Sequence, residues 1–430
     1  MLSDRFKYDS LECINLNNIQ KLTKNQVLEK LNKGIYLNKE VKCQCGNNSF
    51  EILSEKDRYG IPLTTVICQK CGLVMTNPRM NQFSYDQFYD KEYRKLYLGV
   101  QEPNFDFYNL EQKRGEKIFR YVSSSINLDN NEVLEVGCGA GGILDIFKKN
   151  GCSVIGVDLD SNYINYGIDK GLELYCTHSK NLIDKYLEKF DLIILSHVLE
   201  HFLDIDSELE IIYKLLKPTG YLYVEVPGLK SLLIGYDKCD FLYYLQNAHT
   251  YSFDLDTLVQ IMKWSKFKFI KGDERIHSLF KKIDYRSNTV VNYYNDVKSY
   301  LVDLEKNKDK YKKEYENFME KKSRAEREKK FKIVKERISN YKDNTVVLYG
   351  TGNHTKILLD YIGYTNKILG LLDKGKDKIN KMYYGYEVLN LEKIFHKIKA
   401  IVISSDSYQK IIYDRIKDYE KYGIDIIKIY

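Results

Sequence analysis

Apolar residues in this chain fall into short unbroken runs separated by polar or glycine-rich stretches. The runs at 133–136, 153–157, 190–195 and 220–226 read as strands buried on both faces, the signature of a parallel sheet covered by helices. Between the first two lies Gly137-Cys138-Gly139-Ala140-Gly141, a segment that lets the backbone turn sharply and approach a ligand. Residues 143–149 then predict a helix. Residues 50–78 alternate apolar and polar positions as antiparallel strands do. Near the C-terminus, 344–363 repeats the strand–glycine loop–helix order around Gly350-Thr351-Gly352, and 367–374 and 398–405 supply further strands. The intervening 295–343 is densely charged and free of proline and glycine. Leu304, Tyr311, Phe318 and Ala325 recur there every seven residues, which predicts one or two long helices with a single apolar stripe.

Two acids give the first glycine loop its chemistry. Asp158 ends the second strand about twenty residues past the loop, the layout of nucleotide-binding α/β folds. Glu135 stands two residues before Gly137, where a carboxylate repels phosphate and suits a cationic ligand. The pattern E-x-G-x-G-x-G resembles motif I of the class I S-adenosylmethionine-dependent methyltransferases. That resemblance implies a Rossmann-like domain with Glu135 facing the methionyl part of the cofactor. It also implies that the loop of Gly137, Cys138, Gly139 and Gly141 passes beneath the cofactor and that Asp158 holds the ribose hydroxyls. "FDLIILSHVLEHF" (190–202) resembles the family's strand-four motif and puts Ser196 and His197 on the cofactor side, and "GYLYVEVPG" (220–228) resembles strand five after a turn at 217–220.

Length and composition limit the alternatives. At 430 residues the chain should hold two or three domains, and 43% hydrophobic with 30% charged residues describes a folded globular protein. The net charge of +7 is spread over both signs, which argues against nucleic-acid binding. No apolar run reaches bilayer-spanning length, and "MLSDRFKYDS" lacks a signal-peptide core, so the expectation is a cytoplasmic protein with no membrane span. Of nine cysteines, Cys43, Cys45, Cys68 and Cys71 form a C-x-C and a C-x-x-C pair, each followed by glycine. Two such loops on adjacent hairpins can bring four thiolates to a structural zinc in a zinc ribbon.

A cysteine module ahead of a methyltransferase domain resembles the zinc-containing sugar C-methyltransferases, which act on C3 of nucleotide-bound 4-keto-deoxysugars and carry a C-terminal Rossmann-like domain. The resulting division is 1–40 as an N-terminal extension, 41–100 as the zinc-binding module, 101–292 as the methyltransferase domain, 293–342 as a charged helical connector and 343–430 as a Rossmann-like domain. In that family a Y-x-E-H-like stretch handles the proton at C3. Here "LQNAHTYSFDLDTL" (245–258) offers His249 for the histidine, Ala248 in place of the glutamate, and Tyr251 two residues beyond. His249 is the expected general base, with Tyr251 next. A sugar hydroxyl needs only one base of near-neutral pKa, so O-methylation stands beside C-methylation. The expected function is methyl transfer from S-adenosylmethionine to a nucleotide-activated sugar or related glycan precursor, as in surface polysaccharide or deoxysugar biosynthesis. The alternative is a non-catalytic or regulatory cofactor-fold protein that binds a partner through the connector, where an oligomer contact could also form.

Overall fold

The structure is a computed structural model that describes residues 1–99 and 106–430. The expected boundary at 100/101 lies outside the described residues. A helix at Asn18–Asn32, opened by a capping box between Asn17 and Gln20, precedes three antiparallel strands. These are β1 (Phe50–Lys56), β2 (Pro62–Cys68) and β3 (Val74–Thr76), and Pro62 stands at a strand's first residue, where its missing N–H costs least. The fourth strand of this sheet is remote in sequence. Tyr251–Ser252 pairs antiparallel with β3, Tyr251 opposite Met75. The stretch carrying His249 is thereby fastened to the cysteine module.

The central sheet contains β4 (Glu132–Val136), β5 (Ser153–Asp158), β6 (Leu174–Cys176), β7 (Phe190–Ser196), β8 (Leu216–Glu225), β9 (Phe267–Lys271) and β10 (His277–Lys282). Their order is β9-β10-β8-β7-β4-β5-β6, with β10 antiparallel to both neighbours and the pairs from β8 to β6 parallel. The unbroken apolar runs follow from burial on both faces. Leu134, Val136, Ile193 and Leu195 enter one core, while Val133, Leu192 and Ile194 enter the other. Each such fully buried side chain contributes about 1.5–3 kcal/mol. The turn expected at 217–220 is a register irregularity inside β8, between Leu216 and Tyr221. Chain order reverses at β4 and β7, so the crevice beyond their carboxyl ends is where a ligand of this fold class sits.

The chain divides into two compact units, Met1–Lys313 and Glu314–Tyr430, and the division falls within one continuous helix, Tyr294–Ser339. Only the start of the heptad stripe is buried: Leu304 enters a core and Tyr311 packs against it, whereas Phe318 is 60% exposed and Ala325 is exposed. In the first unit Val297, Leu301 and Leu304 pack with Phe241 and Leu245. In the second, Phe331, Val334 and Ile338 pack with Val346 and Leu348. Two local i, i+3/i+4 patches replace a seam because the helix answers to each core separately. The second unit is a parallel sheet of β11 (Val346–Tyr349), β12 (Ile368–Leu372), β13 (Ala400–Ile403) and β14 (Asp425–Lys428), ordered β12-β11-β13-β14. In its glycine loop the Thr351 hydroxyl donates to Asp373 at 2.5 Å, and Lys378 pairs with the same carboxylate at 3.1 Å. Among the described residues no helix is long and apolar enough to cross a membrane.

Candidate active site

The loop after β4 is shaped by backbone that favours glycine. Gly137, Gly139 and Gly141 have φ of 72°, 52° and 76°. A Cβ on Gly137 would lie 2.4 Å from Val198 Cγ2, so both conformation and space demand glycine there. The Gly137 and Cys138 amides donate to Val157 O at 2.8 and 3.0 Å, which stitches the loop to β5. Gly139 N–H donates to Asp158 Oδ2 at 2.8 Å, and Asp160 N–H to Asp158 Oδ1 at 2.9 Å. Asp158 thus holds the loop while standing at the crevice. Cys138 is buried, and a Cβ on Gly156 would come within 2.7 Å of its sulfur, so it serves as a small filler.

Glu135 is 2% exposed, and its Oε2 has no hydrogen-bond partner. Burial, with Glu111 and Asp158 nearby, pushes its carboxyl well above the usual range. Around it, Arg114 from the helix Asp106–Ser123 lies 3.1 Å from Glu111 and 3.8 Å from Glu225, the residue that ends β8. Acidic side chains therefore stand at the ends of β4, β5 and β8, with Arg114, His197 and His277 facing Glu225 and, among the described residues, no cation paired to Glu135 Oε2. That set suits a ligand bearing positive charge and repels phosphate. Ser196, ending β7, is also buried, with its Oγ unpartnered.

A second cluster adjoins through His197. Its φ is 55°, a conformation uncommon outside glycine and concentrated at functional sites. Its Nδ1 lies 3.5 Å from Glu200 Oε1 and its Nε2 3.7 Å from Glu225 Oε1. Burial works against the imidazolium, but these two carboxylates outweigh it and hold the pKa at about 9. His201 Nε2 and His249 Nε2 lie 3.7 and 4.0 Å from the same Glu200 oxygen. The His201 and His249 rings meet edge to face at 4.8 Å. Burial lowers the pKa of His201, and that of His249 more strongly, with His201, Arg58 and His197 adding to the effect at His249. One histidine is a cation and its two neighbours are neutral bases.

The walls of this cluster come from far along the chain. Tyr89 OH sits 2.6 Å from His201 Nδ1, in a π-helical turn at Tyr89–Tyr93 of the kind common at functional sites. Tyr85 OH donates to Ala248 O at 2.7 Å, and Ala248 N–H donates to Tyr97 OH at 2.9 Å. Thr76 Oγ1 donates to His249 O at 3.1 Å, and Thr250 N–H to Glu200 O at 2.8 Å.

The sequence-predicted residues divide between places. Glu135, Gly137, Cys138, Gly139, Gly141 and Asp158 surround the crevice at β4 and β5, Ser196 and His197 follow from β7, and His249 joins the histidine cluster. Tyr251 goes elsewhere: it packs with Cys43, Cys68 and Cys71, is 1% exposed, and accepts from Gln44 Nε2 at 2.7 Å. The four cysteine sulfurs converge, with Cys43–Cys71 at 3.4 Å, Cys45–Cys68 at 3.6 Å and all four within 4.8 Å of one another. Sequence reasoning missed Glu200, Glu111, Arg114, Glu225 and Tyr89. Glu225 had a signal, since a lone acid closing an apolar strand is the same pattern that drew attention to Glu135.

Residues 110–271 match the family described as "Methyltransferase domain". Together, fold and match make this segment a class I S-adenosylmethionine-dependent methyltransferase domain. Among curated proteins, the ubiquinone biosynthesis O-methyltransferase of Pasteurella multocida is 24% identical over 203 residues, 43% of this chain and 78% of that protein. The mitochondrial protein of that name from Bos taurus is 29% identical over 106 residues, 23% of this chain, which spans only 29% of its length. A solved S-adenosylmethionine-dependent methyltransferase from Archaeoglobus fulgidus is 20% identical and aligns over 51% of this chain and 92% of its own, with a TM-score of 0.33.

Proposed function

We propose that the protein transfers a methyl group from S-adenosylmethionine to a nucleotide-activated sugar or related glycan precursor, with His249 as the base. The observation that carries this reading is the pairing of an acid-lined crevice at the strand switch point with a neutral, buried histidine one residue cluster away. When bound, S-adenosylmethionine supplies an electrophilic methyl on a cationic sulfur. Glu135, its Oε2 unpartnered, fits the positive end of such a molecule, and Asp158 fits its ribose hydroxyls. The protein's remaining work is to align the acceptor and take one proton. His249 is suited to that because burial keeps it unprotonated. The hydroxyls of Tyr85, Tyr89 and Tyr97 hold the Ala248 backbone and the His201 ring in place.

Hydroxyl methylation is the second reading, favoured by the O-methyltransferase relatives and by Ala248 in the position where a carboxylate would assist carbon-acid chemistry. Incubation with labelled S-adenosylmethionine and a panel of nucleotide sugars separates the two. C-methylation predicts exchange of the C3 hydrogen with solvent, and O-methylation does not. A protein that binds cofactor but methylates no member of a broad panel of hydroxyl and keto acceptors would favour a regulatory role instead.

We also propose that Cys43, Cys45, Cys68 and Cys71 hold one structural zinc. Tetrahedral Zn–S bonds of about 2.3 Å place sulfurs about 3.8 Å apart, close to the spacing here. Four sulfurs would close the coordination shell and leave the metal no catalytic position.

A further inference from the structure

Glu200 lies inside the histidine cluster. It is 2% exposed, and neither carboxylate oxygen has a hydrogen-bond partner, a costly state for a buried acid. It sits on the short turn Leu199–His201 after β7, and its backbone carbonyl accepts from Thr250 N–H and Oγ1 at 2.8 and 3.1 Å. That pairing ties the residue to the His249 stretch from the backbone side. Its Oε1 faces His197, His201 and His249 at 3.5, 3.7 and 4.0 Å. Tyr85, Tyr89, Tyr93, Arg58, Arg114 and Glu225 are titratable or charged groups that also face this cluster. The residue before His249 is alanine, and Glu200 brings a carboxylate oxygen 4.0 Å from the His249 ring.

We propose that Glu200 is the positioning residue of the proton-accepting step, acting through His249 and its neighbour His201. The inference rests on the methyl-transfer reading. His249 takes the acceptor's proton as the acceptor's freed electron pair forms the bond to the methyl carbon, and the carbon–sulfur pair remains on sulfur. The cofactor loses its positive charge and the imidazole gains one. Glu200 offsets that new charge until the proton passes to solvent. Its ordering of the cluster fits the role: with Glu225 it keeps His197 cationic, while burial keeps His201 and His249 free to accept.

The test uses the full chain with Glu200→Gln, which preserves shape and removes charge, and with Glu200→Asp. Turnover of Glu200→Gln should fall on the order of 10²-fold, while S-adenosylhomocysteine affinity stays within about twofold. The diagnostic readout is the acidic limb of the kcat/KM–pH profile. A carboxylate that favours the protonated base raises the base's pKa, so removing it should move that limb to lower pH even as the plateau falls. A packing defect would lower the plateau and leave the limb in place. Glu200→Asp should restore part of both effects. Imidazole NMR titration of wild type and Glu200→Gln needs no acceptor, and it keeps this inference testable if the acceptor assignment fails. Unmoved His201 and His249 titrations, or near-normal turnover in Glu200→Gln, would overturn the proposal. So would a stoichiometric divalent ion, beyond the one at the cysteines, that is lost in Glu200→Gln, because the acid would then be a metal ligand.

Discussion

Replacing Asp158 by alanine removes two things at once. The carboxylate accepts Gly139 N–H at 2.8 Å and Asp160 N–H at 2.9 Å, which fixes the glycine loop against β5. Two oxygens offer about four lone-pair sites, so capacity remains for ribose hydroxyls after both amides are served. Hydrogen bonds to a charged group contribute about 1.5–3 kcal/mol each. Loss of one such contact weakens cofactor binding by about 10- to 150-fold, at 1.4 kcal/mol per tenfold. The two loop bonds should cost stability as well, about 3–6 kcal/mol in total by the same range. Calorimetry with S-adenosylhomocysteine reads the first effect, and thermal unfolding of the cofactor-free protein reads the second. Asp158→Asn separates them further, since an amide retains an acceptor oxygen but cannot receive both backbone N–H groups. Unchanged affinity in Asp158→Ala together with a lowered unfolding temperature would refute the reasoning, because Asp158 would then hold the loop without touching the ligand.

Other consequences are equally concrete. Gly137→Ala forces a Cβ to 2.4 Å from Val198 at φ of 72°, so the loop must shift and cofactor affinity should drop at least tenfold, read by the same calorimetry. In the free protein Glu135 stays protonated well above the usual carboxyl range, and a cation favours its ionised form. Binding of S-adenosylmethionine should therefore release a proton and tighten as pH rises toward that free-state pKa, a slope that Glu135→Gln should abolish. His249→Ala should reduce turnover by roughly 10²–10⁴-fold with cofactor affinity intact, and near-normal turnover would place the base elsewhere. Elemental analysis should find one zinc per chain, and Cys43→Ser should lower both the zinc content and the unfolding temperature.

The glycine loop and the acids beside it were legible because their determinants are local. The loop at 137–141 and the acids at 135 and 158 lie within one strand–loop–helix–strand unit. The histidine cluster depends on pairings that no window of sequence contains. Tyr251–Ser252 joins a sheet whose other strands end at Thr76, and this pairing turns Tyr251 into the cysteine core while His249 meets His201. Glu200 was hidden for a related reason. Nothing local in "HVLEH" marks its acid as buried, and only the fold of Tyr85, Tyr89 and Thr250 around it shows this. The connector misled through periodicity: seven-residue spacing at 304–325 belongs to a largely exposed stretch of one helix whose ends pack in two separate cores.

The proposed methyl transfer to a nucleotide sugar is read without intermediaries from its products. Purified protein, S-adenosylmethionine and a panel of nucleotide-linked 4-keto- and hydroxysugars are incubated, and the nucleotide sugars are then resolved by mass spectrometry. One sugar should become heavier by a methylene unit, with an equimolar amount of S-adenosylhomocysteine, and both should form roughly 10²–10⁴-fold more slowly in His249→Ala. Methyl transfer confined to phenolic or other non-sugar acceptors, or none to any acceptor from a protein that binds the cofactor, would contradict it.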